Sequence, residues 1–258
     1  MKRRDFLKNT AVFVSGVSAS VAALEWLDPQ KVLASRSDLR WGFLVDTHKC
    51  VGCGFCVKAC KVENDIPVEA NVTRTWVERY VIKKDGKVLM DSPKGALNGF
   101  TSEDIDQNQS GMKKVADEEI AQAFFVPKLC NHCDTPACVQ VCPVGATYQA
   151  ADGVVLVDRK WCIGCGYCIM GCPYGVRFFH PIENVADKCT FCYHRISIGG
   201  GNTACAQACP FGARQIGNLR DPNDPVTKVV MNQRVGVLRD EYGTKPQVFY
   251  LGLNKEVH

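Results

Sequence analysis

The chain has 258 residues, of which 46% are hydrophobic and 22% are charged, and it carries a formal net charge of +4. This composition is typical of a globular protein and argues against both a disordered chain and a strongly basic nucleic-acid-binding protein. The 16 cysteines are far more numerous than in an ordinary enzyme, and they make metal or redox chemistry the first hypothesis.

Residues 1–34 are predicted to be a twin-arginine export signal. Arg3 and Arg4 precede Phe6 near the start of the chain, as in signals of that type. The apolar stretch 11–24 is too short to cross a bilayer core, which requires about 20 residues. We therefore expect a periplasmic protein, exported in the folded state, that is associated with the inner membrane only through a partner. An uncleaved membrane anchor is the alternative.

The cysteines form four groups of four, and none is left over. Groups one to four are, in chain order, Cys50, Cys53, Cys56 and Cys60; Cys130, Cys133, Cys138 and Cys142; Cys162, Cys165, Cys168 and Cys172; and Cys189, Cys192, Cys205 and Cys209. Groups one and three have the C-x2-C-x2-C-x3-C spacing of bacterial ferredoxins, in which the fourth cysteine binds the other cluster of a pair. Group two widens one gap to four residues, and group four widens it to twelve. The arrangement predicts four [4Fe–4S] clusters as the cofactors.

The spacing within a group follows from the shape of a cubane. Three close thiolates in one tight loop can bind three irons, while a cysteine one helical turn later points toward a neighbouring cluster. Backbone N–H groups of these loops are expected to point at sulfur atoms and to influence the reduction potentials. Four glycines are expected to let the backbone approach the clusters: Gly52, Gly54, Gly164 and Gly166.

The segments outside the groups predict short β elements. Residues 76–90, with Gly86 at the turn, predict a hairpin. Residues 91–122 are polar and predict a loop followed by a helix from Ser110 onward. The tail 246–251 predicts a strand that could dock on a partner.

The chain also contains an internal duplication. Segments 44–60 and 156–172 are identical at nine of seventeen positions, and segment 137–143 resembles 204–210. Two pairings of the groups fit this pattern: one with two and three with four, or two with three and one with four. A hairpin predicted over 146–157 would join groups two and three within one unit, but the residues alone leave both pairings open.

Other uses of the cysteines fit the spacing poorly. Eight disulfides would require crowded and strained loops, and zinc sites are usually built from two C-x2-C pairs. Four ligands for each of four clusters leave no iron open to a substrate, so that electron transfer is predicted and no catalytic residue is assigned. A stand-alone oxidoreductase is the alternative class, although no nucleotide-binding or nucleophile–base pattern supports it.

Several further side chains lie near the cysteines. His132, between Cys130 and Cys133, is interpreted as a packed side chain rather than a ligand. Three cations are interpreted as solvated charges, with an influence on cluster potentials as the alternative: Lys58, Arg177 and Lys188. Three aromatic residues are predicted to belong to the core rather than to an electron relay: Trp161, Phe178 and Phe179.

From Trp41 to about Leu253, the chain resembles the four-cluster iron–sulfur subunits of nitrite reductase and molybdopterin oxidoreductase systems. The stretch 172–189 looks closest to the iron–sulfur subunit of formate-dependent nitrite reductase and to the periplasmic one of the sulfite-reduction-associated membrane complex. The resemblance implies an electron-transfer subunit that connects a multi-pass quinol-oxidising membrane subunit with a periplasmic cytochrome or terminal reductase. The alternative is the iron–sulfur subunit of a molybdopterin oxidoreductase of the polysulfide, thiosulfate or tetrathionate type.

The resemblance also implies how the groups pair. The four ligand sets would be Cys50, Cys53, Cys56 and Cys209 (set 1); Cys60, Cys189, Cys192 and Cys205 (set 2); Cys130, Cys133, Cys138 and Cys172 (set 3); and Cys142, Cys162, Cys165 and Cys168 (set 4). The implied fold is α+β, with two ferredoxin-like two-cluster units and β-hairpin insertions. The first unit would comprise residues 35–124 plus 186–258, and the second would comprise 125–185.

Overall fold

The computed structural model describes residues 38–100, 115–198 and 201–257. The strands in these ranges are β1 Trp41–Asp46, β2 Thr75–Lys83, β3 Val88–Asp91, β4 Ile120–Leu129, β5 Thr147–Gln149, β6 Val155–Val157, β7 Phe178–Phe179, β8 Ala186–Asp187, β9 Arg214–Asn218, β10 Val235–Gly236 and β11 Val248–Leu251. The α-helices are α1 Phe55–Glu63, α2 Ala137–Gln140, α3 Tyr167–Met170, α4 Tyr193–Ile196, α5 Ala204–Gln207 and α6 Pro225–Asn232. Both element types are present, as an α+β fold requires. The predicted signal, residues 1–34, lies outside the described ranges.

None of the helices in the described ranges has the length and apolar character that crossing a bilayer requires. Most of them are single turns that follow a cysteine loop. Short helices of this kind gain their stability from tertiary packing rather than from intrinsic propensity.

The largest sheet has four strands in the order β10-β11-β1-β9. Strand β1 runs parallel to β11 and antiparallel to β9, with Phe43 opposite Val248. Phe43, Val248 and Tyr250 are all fully buried. The tail is therefore a strand, as predicted, but the expectation that it docks on a partner is wrong, because it is an integral part of the chain's own core.

A second sheet, with the order β3-β2-β4, lies in the long connection between groups one and two. The predicted hairpin corresponds to β2 and β3, which pair antiparallel with Gly86 at a φ of 84° in the turn. Strand β4 pairs with β2 along almost its whole length. Residues 101–114 lie outside the described ranges, and residues 120–122 begin β4 instead of continuing the predicted helix.

The internal duplication is visible as two similar arrangements. Strand β1 leads through the group-one loop into α1, and β6 leads through the group-three loop into α3. Each leading strand has an antiparallel partner, β9 for β1 and β5 for β6. Helix α1 packs against α5, and α2 packs against α3. Group one thus neighbours group four, and group two neighbours group three.

Candidate metal centres

The loops of groups one and three have nearly the same backbone conformation. Gly52 and Gly164 have φ angles of 70° and 69°, and Gly54 and Gly166 have φ angles of 76° and 78°. Only glycine adopts this left-handed region without steric cost. The glycines therefore let the loop turn tightly ahead of the helix.

All 16 cysteines lie within the described ranges, and none of them forms a disulfide bond. In those same ranges, no group of three or more His, Cys, Asp or Glu side chains could hold a single metal ion. The arrangement thus gives no support to the disulfide or the zinc interpretation. A cubane receives one thiolate at each of four separate irons, so that its ligands stand farther apart than those of one ion.

Two cavities bring together cysteines from different groups. One cavity is lined by Cys60 of group one and by three cysteines of group four, namely Cys189, Cys192 and Cys205. The other is lined by three cysteines of group two and by the last cysteine of group three, namely Cys130, Cys133, Cys138 and Cys172. In each cavity the fourth cysteine of a ferredoxin-type group meets the first three cysteines of its neighbour.

The other two sets line neither of these cavities. Burial raises the pKa of Cys50, and the nearby thiols of Cys209 and Cys53 raise it further, although Arg214 opposes them. Groups one and four therefore also meet at this second location.

The last set lies on α2 and α3 and in the loops beside them. Cys165 is exposed, while Cys168 is buried. Burial tends to raise the pKa of Cys142, but backbone N–H groups of Thr147, Val144 and Ala146 lower it overall. Hydrogen bonds of this kind favour the thiolate, which is the form that binds iron.

Backbone N–H groups point at five cysteine sulfurs, as predicted for these loops. The donors are Thr147 to Cys142 at 3.4 Å, Ala186 to Cys162 at 3.4 Å, Phe191 to Cys189 at 3.4 Å, Ala204 to Cys192 at 3.5 Å and Ala213 to Cys209 at 3.3 Å. Hydrogen bonds to ligating sulfurs stabilise the more negative, reduced state of a cluster.

Known proteins are similar to this chain over most of its length. Two family models, each described as a 4Fe-4S dicluster domain, match residues 49–146 and 121–219. A tetrathionate reductase subunit of Salmonella typhimurium is 36% identical over 98% of this chain and 88% of its own length. Protein NrfC of Escherichia coli K12 is 34% identical over 96% of this chain and 93% of its own length. The Hdr-like menaquinol oxidoreductase iron-sulfur subunit 1 of Archaeoglobus fulgidus is 32% identical over 99% of this chain and 100% of its own length.

The chain belongs to this family of iron–sulfur subunits. It is therefore an electron-transfer subunit of an oxidoreductase, and it carries four [4Fe–4S] clusters. The resemblance drawn from the four cysteine groups is confirmed at the level of the family.

The buried positive charges of the chain indicate whether its residues fit four [4Fe–4S] clusters. Three of the buried cations lie near cysteine thiols, and none of these three has a carboxylate partner among the described residues: Arg177, Lys188 and Arg214. A buried charge is strongly destabilising unless an opposite charge or hydrogen bonds compensate it. Thiolate-bound clusters supply such a negative charge, so that the buried cations fit the predicted cofactors.

Arg214 is a buried cation whose surroundings contain cysteines of groups one and four. Its Nη1 donates to Thr75 Oγ1 at 2.8 Å, while its Nη2 has no partner among the described residues. Burial acts to lower the pKa of Arg214, but the thiols of Cys56, Cys205 and Cys50 outweigh that effect and raise it. Sequence reasoning missed Arg214, although a signal was present. Arg214 and Arg177 each lie five residues after the last cysteine of a group, in Cys-Pro-Phe-Gly-Ala-Arg and Cys-Pro-Tyr-Gly-Val-Arg.

Arg177 has the corresponding position after group three. Its Nη2 donates to Cys138 Sγ at 3.0 Å, and its Nη1 donates to Thr147 Oγ1 at 3.3 Å. Arg177 and Lys188 are only 4% and 0% exposed, so that their interpretation as solvated charges is wrong. Lys58, by contrast, is exposed as expected.

The predictions for the remaining side chains had mixed outcomes. His132 is packed as expected, with its ring stacked on Phe191 at a centroid distance of 3.7 Å. Trp161 and Phe179 are 68% and 45% exposed, and their prediction as core residues is wrong.

Lys61 replaces the proline that follows the last cysteine in the other groups. Its ammonium is buried and donates to three backbone carbonyls, those of Pro67, Val68 and Ala70, at 3.0, 3.2 and 2.6 Å. The departure therefore has a structural role, because Lys61 fixes the turn that follows α1.

Proposed function

We propose that this protein relays electrons from a quinol-oxidising membrane subunit to a periplasmic redox partner, or in the reverse direction, in anaerobic respiration. The observation that carries the proposal is a contrast in exposure. The cavity lined by Cys60, Cys189, Cys192 and Cys205 is shielded by the protein, whereas Cys165 is exposed. A relay needs both features, since inner centres must be insulated from solvent and outer centres must be reachable by partners.

The proposed ligands follow the four sets implied by the cysteine pattern. We assign Cys50, Cys53, Cys56 and Cys209 to cluster 1; Cys60, Cys189, Cys192 and Cys205 to cluster 2; Cys130, Cys133, Cys138 and Cys172 to cluster 3; and Cys142, Cys162, Cys165 and Cys168 to cluster 4. The two cavities support sets 2 and 3, and the influence of Cys209 and Cys53 on Cys50 supports set 1. The packing of α2 against α3 is consistent with set 4.

The same contacts support two ferredoxin-like units, residues 35–124 plus 186–258 and residues 125–185. The packing of α1 against α5, and the pairing of β1 with β9, join the two separate parts of the first unit. The hairpin of β5 and β6 joins groups two and three within the second unit.

Sets 4 and 1 are each accompanied by exposed apolar side chains. We call the side chains around Cys165 the group-three surface: Trp161, Ile163, Tyr167 and Met170, which are 68%, 65%, 55% and 76% exposed. Near set 1, three others are about half exposed: Val51, Phe55 and Phe211. Concentrations of exposed apolar side chains mark interaction surfaces, and partner subunits at these two places would approach clusters 4 and 1.

The clusters supply one-electron transfer, and the polypeptide determines where electrons can enter and leave. The relatives support a quinol as donor, since one of them is named a menaquinol oxidoreductase subunit. A second candidate is the iron–sulfur subunit of a molybdopterin oxidoreductase, favoured by the similarity to two tetrathionate reductase subunits. Export to the periplasm is proposed from the twin arginines at the start of the sequence.

The proposal can be tested by purifying the tagged full-length chain from its host under anaerobic conditions. We expect about 16 irons per chain, co-purification of an integral-membrane subunit, and reduction of the clusters in that complex by a menaquinol analogue. Reoxidation by a periplasmic cytochrome fraction would support the first candidate, and reoxidation by tetrathionate would support the second. Turnover of a small substrate by the isolated chain, or clusters in the complex that no quinol reduces, would overturn the proposal.

The group-three surface offers a matched pair of variants for the same experiment. Trp161→Glu is expected to weaken the association with a partner, whereas Met231→Glu alters a similarly exposed side chain, 74% accessible, on α6 away from the cysteine loops. Equal effects of the two substitutions would argue against a docking role for the group-three surface.

A further inference from the structure

A fully buried lysine lies where the two proposed units meet. Lys188 has no solvent-exposed surface. Its ammonium donates to the carbonyl of Val155 on β6, and to the carbonyl of Cys189 at 2.7 Å. One acceptor belongs to the unit that holds set 3, and the other belongs to a cysteine of set 2. The side chain therefore links the two units by hydrogen bonds.

The thiols around Lys188 come from the same two sets. Among the groups that influence its ammonium electrostatically are Cys130 and Cys138 of set 3 and Cys189 of set 2. Among the described residues, Lys188 has no carboxylate partner. Its compensating charge would therefore come from the thiolate-bound clusters on both sides.

An aromatic stack lies at the same junction. The His132 ring, between two cysteines of set 3, stacks on Phe191, which lies between two cysteines of set 2. His132 Nδ1 accepts a hydrogen bond from the backbone N–H of Val155 at 3.0 Å, so that the neutral ring carries its proton on Nε2. That Nε2 is buried and has no partner among the described residues. The junction is thus buried, and the nearby Asp187 carboxylate accepts from the backbone N–H of Lys188 rather than from its ammonium.

A positive charge in such surroundings has a predictable effect. Coulomb interactions are weakly screened in a protein interior, and a nearby cation favours the reduced, more negative state of a cluster. The effect falls with distance, so that it acts most strongly on the two clusters beside the junction.

We propose that Lys188 is a positioning and tuning residue that raises the reduction potentials of clusters 2 and 3 together. This inference rests on the ligand sets given under the proposed function. It requires only that sets 2 and 3 flank the junction, and it does not depend on which partners supply or accept electrons.

The test compares Lys188→Met with the unchanged chain in a mediated redox titration followed by electron paramagnetic resonance. We expect the reduction constants of two of the four clusters to fall at least tenfold, which corresponds to about 59 mV for a one-electron couple. The matched control is Lys160→Met, which removes an exposed lysine two residues before Cys162 and should leave those two potentials unchanged. Unaltered potentials in a Lys188→Met protein with full iron content would overturn the inference.

Two further variants cover a failure of Lys188→Met to assemble. Lys188→Gln keeps a hydrogen-bond donor without the charge and should lower the same two potentials, whereas Lys188→Arg keeps the charge and should leave them near the original values. If both neutral variants lose iron and Lys188→Arg loses it as well, Lys188 acts through packing and the inference is wrong.

Substitutions of single ligands separate this inference from the proposed function. Cys192→Ser and Cys138→Ser should each alter one of the two signals that respond to Lys188, and any other outcome would contradict the ligand sets themselves. The titration uses soluble mediators, so that a chain that no quinol reduces would contradict only the proposed function.

Discussion

The group-one and group-three loops differ in what covers them, although their sequences and backbones are closely similar. A Cβ on Gly54 would lie 2.2 Å from the carbonyl oxygen of Ala96, whereas a Cβ on Gly166 would meet only the ring of Phe179, at 3.1 Å. The cover of the group-one loop comes from the long connection between groups one and two. The comparison teaches that cysteine spacing determines the loop, while the connections between groups determine how far each loop is shielded.

The same contrast holds for the thiol sets that follow the two loops. Cys60, at the end of the group-one motif, contributes to a set whose four members are all at most 7% exposed. Cys172, its counterpart at the end of the group-three motif, is only partly buried, and Cys165, inside that motif, is exposed. A duplicated motif has thus acquired two environments, one suited to an insulated inner centre and the other to contact with a partner.

The largest difference between the two environments is expected when one cysteine ligand is removed from each. Cys192→Ser should abolish cluster 2 and destabilise the chain, because its buried cavity would keep uncompensated polar groups and cations. Cys165→Ser should affect only cluster 4 and leave the thermal unfolding of the remainder nearly unchanged. Iron analysis and calorimetry of the two variants would measure the difference, and equal destabilisation by both would contradict it.

Buried and exposed ion pairs provide the next largest contrast. Arg74 Nη2 lies 2.9 Å from Asp187 Oδ1, with both side chains almost inaccessible, while Arg159 pairs with Glu183 where both are more than a third exposed. Arg74→Met should therefore lower the free energy of unfolding by about 3–5 kcal/mol. Glu183→Gln should lower it by at most about 1 kcal/mol. Denaturant titration of both variants would check these values, and a small effect at Arg74 would refute the assigned role of burial.

The sequence predicts the cysteine loops well because their determinants are local. Glycine at a tight turn and a fixed thiol spacing act within a few residues, and both are found at Gly54 and Gly166. Long-range packing could not be predicted in this way. Lys188 was interpreted as solvated, and its burial depends on contacts with β6 from another part of the chain.

Strand β4 and the exposed aromatic residues likewise depend on long-range packing, which the local sequence does not predict. Strand β4 follows a polar segment, and its pairing with β2 is decided by tertiary contacts rather than by the preceding residues. Trp161 is a large apolar side chain of the kind expected in a core, but it is 68% exposed. The ligand sets were accessible to sequence reasoning only through the family resemblance, because the duplication alone fits two pairings.

A smaller difference in stability is expected when the glycine before each helix, Gly54 or Gly166, is substituted. Both positions have a left-handed backbone, which costs a non-glycine residue about 1–2 kcal/mol. Gly54→Ala adds a clash with backbone that cannot move aside, which costs about 1–3 kcal/mol more, whereas the Phe179 ring opposite Gly166 can shift. We expect Gly54→Ala to be the more destabilised variant in thermal unfolding. Equal losses would mean that the connection does not hold the group-one loop as firmly as the structure indicates.

The smallest expected change in stability lies at the exposed end. Trp161→Ser removes a large side chain that makes little contact with the rest of the described chain, so that the free energy of unfolding should change by no more than about 0.5 kcal/mol. The same substitution should slow electron transfer to or from the partner in the assembled complex, because it removes apolar surface beside cluster 4. Stopped-flow kinetics of the complex, compared with calorimetry of the isolated chain, would separate the two effects. A marked loss of stability with unchanged transfer would place Trp161 in the core after all and would remove the main evidence for a docking surface beside group three.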